Sequence, residues 1–176
     1  MSRTKNSPEI DRLTVCWALL LCFIPLLSVQ GRALQAWVIR NLGAPLAGSL
    51  IFLSLALVIG VTLRQAQKKG HRVPLAHLVW VLVLFLGAPL LLDRVEERLH
   101  FLVFGSFGAL SMLVHRPGTA LMLCLAVAGG DEILQYFLPD RVGDWRDVVM
   151  NGVASIAAAF FIWMIFIRNR EPLADV

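Results

Sequence analysis

Asp131 and Glu132 are adjacent carboxylates inside an apolar run, with the amide of Gln135 one helical turn further on. A charged side chain at the centre of a membrane helix costs about 2.5–3.5 kcal/mol on insertion scales unless something pairs with it or wets it. Beyond a short loop with Asp140 and Arg141, the chain continues with Asp144, Arg146, Asp147 and Asn151 at the start of the next apolar run. At about 100° per helical residue, Asp144, Asp147 and Asn151 share one arc. Glu132 and Gln135 share another, and Glu96, Glu97 and His100 a third. Such a set can build a polar pocket. His100 would carry a proton, because imidazole titrates nearest neutrality. Glu132 would be a partly desolvated carboxylate. Asp144 and Asp147 would hold a cation, or accept hydrogen bonds from an amine or hydroxyl of a ligand.

The same residues also have a structural explanation. Asp is a preferred N-cap, which suits Asp144. Asp147 would then lie in a first turn, where the helix dipole favours negative charge. Glu132 with Arg141 would form a buried pair, and Gln135 and Asn151 would hydrogen-bond between helices.

These residues need elements to hold them. Of 176 residues 58% are hydrophobic and 16% charged, with a mean hydropathy of +0.74. A soluble domain carries about a quarter charged residues. The expected fold is an all-α, polytopic transmembrane helical bundle. Six apolar stretches, near 13–28, 46–63, 74–92, 99–114, 119–137 and 148–167, are each about long enough for a hydrocarbon core of roughly 30 Å, the fourth being short. Basic residues ahead of the first stretch imitate a signal peptide, and that stretch is read as an uncleaved span. Residues 31–45 alternate apolar side chains with Arg32, Gln35, Arg40 and Asn41. They suit a helix in the interface plane anchored by Trp37, or an extramembrane loop. The chain divides into a tail (1–12), an N-terminal three-span region (13–92), a three-span core (93–167) and a second tail (168–176).

With six crossings, ten Lys and Arg residues fall on the side of the two termini and six on the other. The positive-inside rule then places both termini in the cytoplasm. Asp93, Glu96, Glu97, Asp140, Asp144 and Asp147 all fall on the opposite side. The formal charge of +4 fits basic loops; no Lys/Arg stripe interleaved with aromatics points to nucleic acid. Cys16, Cys22 and Cys124 lie in apolar runs without metal-ligand or disulfide spacing, and no metal or cofactor is expected. Gly105 and Gly108, Ala126, Gly129 and Gly130, and Gly152, Ser155 and Ala159 predict close approach among spans four to six. That approach would bring the three polar faces together.

Several elements carry a family resemblance. They are Glu97-Arg98-Leu99-His100-Phe101 with Phe104-Gly105, Asp131-Glu132-Ile133-Leu134-Gln135, Pro139-Asp140-Arg141, and Asp144-Trp145-Arg146-Asp147-Val148 with Asn151. Over residues 92–166 the chain resembles the VanZ-like family of small bacterial membrane proteins. It departs from the family pattern at Ala154, Ala157 and Ala158, where glycines are frequent, and at Phe104, where tyrosine is. The resemblance implies a bacterial inner-membrane location and an association with reduced susceptibility to lipoglycopeptides such as teicoplanin.

Three function classes follow. The first is a binding protein whose outward-facing pocket engages a membrane lipid or lipid-linked envelope precursor through Glu132, Gln135, Arg141, Asp144, Asp147 and Asn151. The second is a structural accessory subunit of a larger membrane complex. The third is a membrane hydrolase or transferase using His100 with Glu132, or a metal at Asp144 and Asp147. No nucleophile elbow or metal-ligand spacing accompanies the third.

Overall fold

In the computed structural model, which describes residues 8–92, 94–139 and 144–168, the described residues form helices joined by short connections. Helix α1 is Pro8–Leu42 and α2 is Ala44–Lys68. The next is α3, Leu75–Leu90, which contains a π-helical turn at Val83–Gly87. Then come α4 (Val95–Val114), α5 (Pro117–Tyr136) and α6 (Trp145–Ile162), the last extended to Ile167 by a second π turn. Five of the six are long and apolar enough to cross a membrane; α3 is the shorter one.

The breaks between helices follow local chemistry. Gly43 separates α1 from α2 with a positive φ of 78°, a conformation only glycine adopts freely, and Pro45 follows in the first turn of α2. At the other end of α2, Gly70 (φ 74°) completes a Schellman cap. Its N–H donates to Gln67 O at 3.0 Å, and the N–H of His71 donates to Ala66 O at 2.9 Å. Pro117 opens α5 at a position where its missing N–H costs nothing.

Two features depart from the sequence reading. The first helix does not stop near residue 28. Its 35 residues, about 52 Å at 1.5 Å per residue, run on through the segment expected to be a separate interfacial helix or loop. The fourth helix begins at Val95 rather than near 99, so it is not the short one; α3 is.

Cross-helix contacts fix which ends lie together. Ser28 meets Asp131, Arg98 meets Phe52 and Glu97 meets Arg146 at one end, here the acidic end. At the opposite, basic end Trp17 meets Ser111 and His71 meets Phe166. The core lies mainly between α4 and α6. Phe107, Ser111, Asn151, Ala154, Ser155 and Ala159 are fully buried there. A Cβ on Gly108 would lie 1.9 Å from the Ser155 carbonyl oxygen, so only glycine permits this crossing. Gly105 is the lesser case, with the Phe85 ring 2.7 Å from the equivalent point. Gly129, Gly130 and Gly152 have no such neighbour within 4 Å, so close approach does not require them as the small-residue pattern predicted.

Candidate functional site

The last two turns of α5 carry Asp131, Glu132 and Gln135, all buried. Helical spacing puts Gln135 one turn above both acids, and its Nε2 donates to Asp131 Oδ2 at 2.9 Å and to Glu132 Oε1 at 3.1 Å. From α1 the hydroxyl of Ser28 donates to Asp131 Oδ1. Glu132 Oε2 accepts the backbone N–H of Asp144 at 3.0 Å, which ties the end of α5 to the start of α6. Hydrogen bonds to charged groups contribute about 1.5–3 kcal/mol each, so these donors offset much of the cost of burying two acids. Among the described residues no Lys, Arg or His side chain comes within ion-pair distance of either carboxylate. Arg141, the partner expected for Glu132, lies outside the described residues with Asp140.

Asp144 is the N-cap of α6: its Oδ1 accepts Arg146 N–H at 2.9 Å. Asp147 follows in the first turn, half-buried, within electrostatic reach of Glu132. One turn deeper, the fully buried Asn151 presents its Oδ1 to His100 Nδ1 at 2.5 Å. With the amide oxygen facing the ring, Nδ1 is the donor. The imidazole stacks on Phe104, with centroids 5.9 Å apart. The Asn151 amide nitrogen is buried and has no acceptor among the described residues. Glu97 pairs with the exposed Arg146 at 3.2 Å.

The three polar faces therefore meet, but the cations separate. Arg98 points toward α2, donating to Leu92 O at 2.8 Å and lying over the Phe52 ring. His71, His77 and His115 lie away from the acids, against Phe166, Trp80 and Trp17 respectively. Among the described residues no three His, Cys, Asp or Glu side chains converge as metal ligands.

Beside the cluster is a cavity of about 350 Å³ bounded by α1, α2, α4 and α5. This is near the lower end of the range for small-molecule sites, roughly 300–1,000 Å³. Leu27, Gly31, Leu34, Val38 and Leu42 of α1 line it at intervals of three and four residues, facing Ala47 and Leu50 of α2 and Leu99 of α4. Its walls are largely apolar; Ser28, Asp131 and Gln135 are hydrogen-bonded together at one part of it, and His100 and Gln35 also line it. Glu97, Glu132, Asp144, Asp147 and Asn151 do not line it; Glu132 and Asn151 hydrogen-bond to two residues that do, Gln135 and His100.

Ser28 and the α1 wall were missed from the sequence. The signal was the apolar period from Leu27 to Leu42, which continues one helical face through the supposed break.

No curated protein and no solved structure matches the chain significantly. The family model described as VanZ/LLP1 matches residues 13–167, taking in α1 and α2 as well as the acidic cluster, and the chain belongs to that family.

Proposed function

We propose that this protein binds an amphiphile of the bacterial envelope, a membrane lipid or lipid-linked cell-wall group, and thereby alters susceptibility to glycopeptides. The observation that carries the reading is the cavity of about 350 Å³, apolar along its walls and ending on Asp131, Gln135, Ser28 and His100. An apolar pocket with a few convergent polar groups is the usual form of a small-ligand site. The hydrocarbon would occupy the α1–α2 side and the head would meet the acids. The distribution of basic residues supports cytoplasmic termini in an inner membrane, which turns the acidic end outward.

The test is expression of the full chain in a susceptible bacterium, scoring teicoplanin susceptibility and the yield of monodisperse protein together. Asp131→Asn and His100→Gln, at two polar residues that line the cavity, are expected to abolish the phenotype at unchanged yield. Equal loss of folded protein in both variants would mean that these side chains only hold the fold.

A structural accessory subunit is the second reading. It draws on the outward apolar faces of α1 and α2, where Leu19, Leu53 and Leu57 are each about two-thirds exposed. Purification as a stable, partner-free monomer in mild detergent would count against it.

A further inference from the structure

We infer that the head group seated at Asp131 is a primary ammonium carried on a hydrocarbon chain. This rests on the reading that the cavity holds an amphiphile and adds the sign of its head. Asp131 lines the cavity; Glu132 lies next to it and accepts from the same Gln135 amide. Asp147 is a further acid within electrostatic reach of Glu132, and His100 is the one basic group that shares that reach among the described residues. Of the polar groups that line the cavity, the Ser28 hydroxyl and the Gln135 amide end on the acids, His100 turns its Nδ1–H to Asn151, and Gln35 lies further along the α1 wall. Arg98, on the same helix as His100, is spent on the Leu92 carbonyl and the Phe52 ring.

What this leaves beside Asp131 is acceptor capacity. An ionised carboxylate has about four lone-pair sites and donates nothing, and Asp131 has two of them filled. An ammonium brings three donors and a positive charge into that setting. A phosphate brings only acceptors and more negative charge, in a medium where like charges repel far more strongly than in water. An aminophospholipid and an amine-bearing lipid-linked envelope group would both supply this chemistry.

The experiment uses full-length protein, purified in mild detergent and stripped of lipid. Dodecylamine, dodecanol and dodecyl phosphate are added in turn, and retained probe is measured by native mass spectrometry alongside the melting temperature. The amine should be retained roughly tenfold or more over the phosphate, the scale of one charge-assisted contact. Asp131→Asn should bring the amine down to the level of the alcohol, whereas Ser28→Ala should keep the preference for the amine. Should Asp131→Asn fail to fold, the comparison of probes on the unaltered protein still decides. Equal or better retention of the phosphate overturns the ammonium and leaves the chain-in-cavity reading standing. Retention of no probe at all removes that reading and the inference with it. The mass of lipid that co-purifies before stripping identifies the source; a lipid without an amine at this site counts against the ammonium.

Discussion

Where α4 crosses α6, Gly108 lies so close to Ser155 that a single Cβ would overlap the carbonyl oxygen. Where α1 and α2 face α4 and α5, the helices leave a cavity of about 350 Å³. The first contact is made by small and aromatic side chains that lose all exposure, such as Phe107, Ala154 and Ser155. The second is lined by larger aliphatics that stay partly open, Leu34 and Leu42 among them. Interiors packed at the first density barely tolerate an added methyl group. The tight half therefore fixes the positions of His100 and Asn151, and the open half supplies the space. Ser28 joins them, since its hydroxyl reaches from α1 to Asp131.

The contrast is most easily broken at the crossing. Gly108→Val forces two backbones apart and is expected to destabilise by about 3 kcal/mol or more, seen as loss of the monodisperse peak in size-exclusion chromatography. Wild-type behaviour in that variant would mean that α4 and α6 do not approach as described. The open half should respond differently. Val38→Trp pushes an indole into the cavity and is expected to shift stability by no more than about 1 kcal/mol, because α1 is largely exposed there. On the proposed amphiphile reading, lipid retained through purification should fall sharply, and unchanged retention would count against this cavity as its site. The smallest effect sharpens the division within the tight half itself. Gly152→Ala adds a methyl group that meets nothing within 4 Å. It should stabilise by roughly 0.4–1 kcal/mol through the unfolded chain, whereas a lower melting temperature would show that Gly152 is a packing residue like Gly108.

Much of this was legible in the chain, for identifiable reasons. Helices and their approximate number follow from apolar runs, because each crossing needs about 20 residues whatever its neighbours are. The arcs shared by Glu132 with Gln135, and by Asp144, Asp147 and Asn151, follow from helical period alone. Pairings between helices were not legible. Arg98 and Arg146 are alike in sequence, yet one serves a backbone carbonyl and the other meets Glu97. The glycines show the same limit: Gly108 is indispensable and Gly129 is not, and only the neighbouring helix distinguishes them.

The amino-acid sequence by itself determined a helical membrane bundle with an acidic end, and placed His100, Asp131, Glu132, Gln135 and Asn151 at that end. Composition and local period suffice for this, since both act along the chain. Only the tertiary structure decided that α1 continues past Gly31 to wall a cavity, that Ser28 reaches Asp131, and that Asp144 serves as a cap while Asp131 faces open space. Those outcomes depend on which helix faces stand opposite each other, and contacts between residues about a hundred positions apart leave no period in a single sequence.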